Sequence, residues 1–320
     1  MKTVDDLRQF YDTTLQADLK VLERKRKAVA EKLAGAGAVI AILALVILFF
    51  ISRSTGGSLF PAVMFPLIIG VILFVFIASL LSKGYVREFK ATIIHKIIRF
   101  IDDNLTYVPH RFIPKSTFMA SEIFKTRPNR YKGDDHVSGK TGATQIEFSE
   151  LHAEYESGSG KNRSRHTVFK GLFFIADFNK HFICKTIVLP DTAEKLFGGF
   201  GKMFQAWNVL RGQLIKLEDP EFEKLFVVYG DDQIQARYIL STSLMERIVD
   251  FKRKTNRPVY LSFVGSKVFV AVSYTKNLFE PRLFRTILDF ELVQEYFEDL
   301  QLAIGIVDDL NLNTRIWSKQ

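Results

Sequence analysis

Glu150, His152 and Glu154 alternate within Thr144 to Tyr155, a stretch whose pattern reads as a β-strand. Alternation puts their side chains on one face, where they could share a cation. Asp134, Asp135 and His136 lie just upstream and would complete such a site if the hairpin-like opening punctuated by Gly133, Gly139 and Gly142 folds back. A second acidic pair, Asp231 and Asp232 after Gly230, has the form of a divalent-metal turn in phosphoryl transfer, with Arg237 as its natural ionic partner. Each group also has a plainer reading. A solvated strand face alternates in the same way, Asp232 with Gln235 three residues on is a helix-start signal, and Gly-Asp is ordinary turn chemistry. Closed metal sites commonly need four donors or more. Glu150, His152, Asp134, Asp231 and Asp232 therefore make a metal set only if the fold brings the two groups together.

Other chemistry has less to stand on. Gly198-Gly199-Phe200-Gly201-Lys202 lacks the spacing of a phosphate-binding loop and no Ser or Thr follows its lysine. The chain contains no Gly-x-Ser-x-Gly, Cys-x-x-Cys or His-Glu-x-x-His, so the common hydrolase, redox and zinc-protease signatures are missing. Cys184, the single cysteine, excludes an internal disulfide framework and fits a reducing cytoplasm. No cofactor is expected, and the balance of the motifs is against an enzyme.

Basic residues form two groups. Lys161, Arg163 and Arg165 sit at the tip of the Gly/Ser-rich loop Ser157 to Arg165, and Lys20, Arg24, Lys25, Arg26, Lys27 and Lys32 lie within the 14 positions before a long apolar run. The 44 Lys and Arg against 35 Asp and Glu give a net charge of +9, which suits either nucleic acid or an anionic membrane face. The phenylalanines are spaced as core and are not interleaved with the basic loop, which disfavours nucleic acid. Arg24, Lys25, Arg26, Lys27, Lys161, Arg163 and Arg165 are thus candidate contacts for a protein partner or lipid head groups. The group before the apolar run has the alternative role of fixing orientation only.

The elements that must position these residues begin with two apolar runs. Ala34 to Ile51 has 18 residues and Leu59 to Leu81 has 23, and neither holds a charge. At about 1.5 Å per residue the first is roughly 27 Å long, near a hydrocarbon thickness of ~30 Å, and the second spans with some tilt. Uncharged spans argue against an ion path. The flanks are basic, Lys83, Arg87 and Lys90 following the second run, while the loop Ser52 to Ser58 holds only Arg53. A multi-pass protein of the cytoplasmic (inner) membrane with both termini cytoplasmic is expected. Residues 1–33 read as an amphipathic basic helix that Thr3 and Asp6 start as a capping box, with no cleavable signal peptide. Gly37, Ala41 and Ala44 make a small-residue stripe, facing Gly70 or Ala78 within the hairpin or another subunit in a homo-oligomer. Ser58 can cap the second span, Pro61 suits its first turn, and Pro66 should bend it.

The remaining chain divides into membrane-proximal helices (82–128), a strand-rich unit (129–212) and an α+β unit with a C-terminal helix (213–320). A helix from Tyr85 continues the second span as a stalk or docks on the following domain, and Ser116 to Thr126 reads as another. Hairpins are expected around Asn179-Lys180 and at Gly265-Ser266, a short helix at Asp191 to Phe197, and a capping box at Ser243 and Glu246. The fold class is α+β, mainly antiparallel, behind a transmembrane hairpin. Tyr131-Lys132-Gly133-Asp134-Asp135 resembles Tyr229-Gly230-Asp231-Asp232, which raises a duplicated unit as one alternative.

Three stretches carry a resemblance to a family: Phe148 to Ala153, Phe169 to Phe173, and Leu217 to Phe222 through Tyr229 to Asp232 and on to Ala236-Arg237-Tyr238. With them most of the chain resembles an uncharacterised family of bacterial membrane proteins, a domain of unknown function in which a membrane hairpin precedes a cytoplasmic domain. The resemblance implies no activity. Members are often encoded beside LemA-type membrane proteins, which implies such a protein as a partner. The expectation is a membrane-anchored adaptor or scaffold that binds a protein partner or the anionic membrane face; the alternative is a membrane-bound metal-dependent enzyme using Glu150, His152, Asp231 and Asp232.

Overall fold

A computed structural model describes residues 2–54, 59–158, 160–191 and 212–313. The expected cap at Ser58, the short helix at Asp191 to Phe197 and the glycine run after it lie outside the described residues. By contact density the chain divides into two compact units: Met1–Ile97 with Phe279–Tyr296, and Ile98–Leu278 with Phe297–Gln320.

The first unit is built on α1 (Val4–Phe10), α2 (Gln16–Ser54) and α3 (Leu59–Phe89), with single π-helical segments at Tyr11–Leu15 and Lys90–Ile94. The capping box is present: Thr3 accepts from the Asp6 amide at 3.2 Å and Asp6 accepts from the Thr3 amide at 2.8 Å. Two helices are long and apolar enough to cross a membrane, and both cover the apolar runs read from the sequence. They pack closely where glycine lets them. A Cβ on Gly70 would meet Ile40 at 3.0 Å, and one on Gly37 would meet the Phe74 ring at 3.3 Å. Gly37 of the small-residue stripe therefore packs inside the hairpin. Pro66 lies inside α3. Outside the apolar runs the same helices bury one face only, Leu7, Leu15, Leu19 and Leu22 on one and Tyr85, Phe89 and Ile93 on the other.

The second unit takes in most of α4 (His95–Ile101), then β1 (Leu105–Val108), α5 (Lys115–Ala120), β2 (Arg130–Thr141), β3 (Thr144–Ser157) and β4 (Ser164–Pro190). It continues through β5 (Gln213–Ile215), α6 (Pro220–Glu223), β6 (Phe226–Gly230), α7 (Gln233–Ile239), α8 (Thr242–Thr255) and β7 (Val259–Ser273). The last helix, α9 (Phe290–Asp309), begins in the first unit and ends in the second. Every described strand pair is antiparallel, in the order β1-β2-β3-β4-β6-β5 with β7 also on β4. The class is α+β, mainly antiparallel, as the hairpin-rich sequence indicates. β4 is buried on both faces: Phe169, Phe173 and Ile175 join Phe118, Phe124, Tyr260 and Phe269 in one cluster, while Phe174 stacks on Phe148. Ring centroids of Phe118, Phe124, Phe169 and Phe173 approach to between 5.1 and 6.3 Å, so aromatic packing adds to simple burial there.

Two expected hairpins are not formed. β4 runs through Asn179-Lys180 and β7 through Gly265-Ser266, each pairing with the other from Gly171↔Ser273 to Val188↔Leu261. Both strands carry buried apolar residues towards either end, Leu172 to Ala176 and Ile187 to Leu189 on β4, Val259 to Leu261 and Val268 to Val272 on β7, and full-length pairing keeps each set against its partner. The turn-forming residues are absorbed as register shifts after Asp177 and Phe182, where Gly265 takes φ +63°. The α8 cap is Ser241, two residues before the expected position; its Oγ accepts from the Leu244 amide at 3.4 Å. α5 stops at Ala120, because Ser121 donates back to the Phe118 carbonyl and Glu122 turns to φ +59°. The two Gly-Asp-Asp motifs occupy different settings, the middle of β2 and the junction of β6 with α7, within one seven-stranded sheet.

Candidate functional site

A bulge in β2 sets the most concentrated group of carboxylates. Register shifts between Asp134 and Val137, and Asp135 takes φ +58° there. Asp134 is left opposite Glu150 on β3, and one carboxylate oxygen of each of Asp134, Asp135 and Glu150 lies within 4.8 Å of the other two. Gly133 permits this approach, since a Cβ would stand 2.4 Å from the Glu150 carbonyl and 2.9 Å from Phe112. Asp135 is fully buried, accepts from the Tyr107 hydroxyl, and donates its own amide to the Pro109 carbonyl at 3.0 Å. Glu150 is buried and accepts from the Leu278 amide at 2.7 Å. The three carboxylates tie the β1 edge, the bulge and the chain after β7 together, and hard-cation binding or proton sharing is the chemistry such a group has.

The remaining candidates are placed elsewhere. His152 Nε2 is 3.6 Å from Glu154, and His152 stands opposite Lys132 and Lys170 on the neighbouring strands. Burial first, and the nearby lysines after it, push its imidazole below the ordinary value. Asp231 lies 3.8 Å from the Lys185 ammonium, which is also 3.4 Å from Glu122. Asp232 caps α7, accepting from the Gln235 amide at 2.8 Å, as the helix-start reading has it. Arg237 donates to the Lys216 carbonyl at 3.2 Å. Through the strand pairing, Glu150 is level with Val272 of β7 and Gly230 with Phe263. The nine-residue separation is about 30 Å of extended chain. Glu150 and His152 are therefore not brought together with Asp231 and Asp232. The sequence left unremarked the pair His136–Glu147, 2.8 Å apart, in which the histidine holds the carboxyl below its usual range.

Basic candidates divide in the same way. Arg163 and Arg165 converge on Glu156 at 2.9 and 3.2 Å, and Arg130 joins them at 3.1 Å; Lys161 belongs to the short turn Gly160–Asn162. Arg24 and Lys27 are exposed, whereas Lys25 pairs with Glu88 at 2.6 Å. Arg26 is buried. It grips Glu23 with two bonds of 2.8 and 2.7 Å and donates to the Leu283 carbonyl at 2.7 Å, so it is removed from the set of head-group contacts. Glu23 also accepts from the Ile287 amide at 3.2 Å, and the Arg26 bonds hold its carboxyl below the usual range. Nothing in the spacing of Glu23 and Arg26 announces these partners, which lie some 260 residues further on.

Residues 167–312 match a family described as a protein of unknown function (DUF3137). Two of the three stretches that carry the resemblance, Phe169 to Phe173 and Leu217 to Tyr238, fall inside the match, and Phe148 to Ala153 lies before it. Neither the curated proteins nor the solved structures contain a match to the chain.

Proposed function

We propose, for a chain whose family likeness carries no activity, that it is a membrane-anchored scaffold. Its two apolar helices span the inner membrane, both termini are cytoplasmic, and the α+β unit offers a binding surface to a protein partner close to the anionic membrane face. The observation that carries this reading is the change of environment along α2 and α3. Their apolar runs leave large side chains exposed, Phe50 at 66% and Phe65 at 70%, a surface that water tolerates badly over such length. Within about three turns the exposed residues become Arg24, Lys27 and Lys32 on one helix and Lys83 and Arg87 on the other.

Topology is tested with single cysteines in a Cys184→Ser background. A cysteine at Gly56 should react with an impermeant maleimide in intact cells, and one at Lys2 only after permeabilisation; the reverse pattern sinks the orientation. Cross-linking in native membranes should recover one stoichiometric protein, a LemA-type membrane protein being the candidate that the family resemblance supplies. Recovery of the chain alone, with no preference of the protein for anionic vesicles, counts against a scaffold. Metal-dependent chemistry is not favoured, because its four residues are divided between two ends of the sheet and the carboxylates that do meet are engaged by Tyr107 and Leu278.

A further inference from the structure

We infer that residues Pro281 to Leu288 form a docking strap for an anionic lipid surface, with Phe284 seated among the head groups and Arg285 on their phosphates. The inference rests on the membrane reading of the two helices and adds a lipid contact from a segment distant in sequence.

Three bonds fix the strap on α2 and the π-helical segment before it. Arg26 donates to the Leu283 carbonyl at 2.7 Å, the Ile287 amide donates to Glu23 at 3.2 Å, and the Tyr11 hydroxyl donates to the Leu288 carbonyl at 2.7 Å. The order is reversed along the two chains, so the strap runs antiparallel to the helix and its Leu283–Phe284 end is the one nearest the apolar run. The far helix holds the other side: Lys90, itself buried, pairs with Glu280 at 2.8 Å, and the Tyr296 hydroxyl donates to the Glu280 carbonyl at 2.6 Å. Arg26 is eight residues before Ala34, and Lys90 is nine after Leu81. At ~1.5 Å per residue both are about 12–14 Å from the apolar runs. Head groups take up about 5–8 Å of that distance, and the rest is within reach of a Phe or Arg side chain.

What the strap presents suits that layer. Phe284, at the end of the strap nearest the apolar run, is 73% exposed although the backbone beside it is held. Arg282 is paired with Glu295 at 2.7 Å, whereas Arg285 is exposed and makes no ion pair among the described residues. Arg24, Lys27, Lys32, Lys83 and Arg87 are exposed on the same unit. An exposed aromatic beside the exposed Arg285, on a unit that carries these further exposed cations, is complementary to an anionic interface.

The test uses the full chain in nanodiscs with Trp207 and Trp317 replaced by phenylalanine, carrying either Phe284→Trp or, as a reference, Phe50→Trp. In phosphatidylglycerol discs whose acyl chains are brominated near the head groups, F284W emission should be blue-shifted and quenched several-fold, and Arg285→Ala should reduce the quenching. F50W quenched while F284W stays unquenched overturns the strap alone. If neither is quenched, the membrane reading falls, and the strap with it. Equal quenching in wholly zwitterionic discs overturns the head-group assignment. A blue shift without bromine quenching identifies a second copy as the cover and also overturns it.

Discussion

At the scale of single residues, His152 and Tyr107 make opposite demands on their surroundings. The half-buried His152 is held neutral, with its pKa below the ordinary value of about 6.5. Between that lowered value and ~6.5 the unfolded chain binds more protons than the folded one, so stability increases with pH across the window and is lost as pH falls through it. Glu23 and Glu147 behave differently, because their carboxyls are depressed by Arg26 and His136. Their contributions are intact above about pH 4.5 and disappear below it. Thermal unfolding of the full chain in detergent should therefore show two acid limbs, and His152→Gln should flatten the upper limb alone. An unchanged upper limb in that variant would assign it to another group. Tyr107→Phe removes a hydrogen bond to the buried Asp135 carboxylate and should cost about 1.5–3 kcal/mol in denaturant unfolding. Little of this was readable from the chain. Asp134, Asp135 and Glu150 were legible as acids on neighbouring strands, but Tyr107 and Leu278 act through pairings that have no sequence pattern.

At the scale of elements, the seam between β4 and β7 decides the fold of the second unit. Gly171 takes φ +145° and faces β7 so closely that a Cβ would stand 2.2 Å from the Val272 carbonyl. Gly171→Ala should destabilise by about 1–3 kcal/mol or more, since neither strand can move without breaking the ladder, and a cost under 0.5 kcal/mol would contradict that picture. The same seam explains the misread hairpins. Asn179-Lys180 and Gly265-Ser266 carry turn chemistry, and alternation alone cannot tell a turn from a bulge inside a long strand. By contrast, the start of α1 and the cap of α7 were legible, because Thr3 with Asp6 and Asp232 with Gln235 act within three residues. The strap on the first unit is held by an element-level joint. Arg26→Met leaves Glu23 buried without its cation, a change that typically costs about 3–5 kcal/mol, and it frees the Leu283 carbonyl. Trypsin should then cut at Arg282 or Arg285 several-fold faster than in the unaltered chain; equal rates would mean that Glu280 and Tyr296 hold the strap unaided.

At the scale of the whole molecule, charge and apolar length act separately. The apolar runs were legible because length and composition within a single window of sequence define them, and the structure makes each part of a helix long and apolar enough to cross a membrane. The proposed orientation depends instead on a few cations, and the structure divides these into two kinds. Arg26 is committed to Glu23 and Leu283, and Lys25 to Glu88, whereas Arg24, Lys27 and Lys32 are exposed and make no ion pair within salt-bridge distance among the described residues. Replacing those three by glutamine should change the unfolding free energy by only about 0.5 kcal/mol for each, as surface substitutions usually do. In the proposed topology it should nevertheless weaken the cytoplasmic bias of the N-terminus, so that a fraction of molecules insert the other way and a cysteine at Lys2 becomes reactive from outside. Arg26→Gln should do the opposite, lowering stability without changing the inserted fraction. If the triple variant inserts as the parent does, Lys83 and Arg87 after the second span must carry the orientation, and their replacement in the same background should release it.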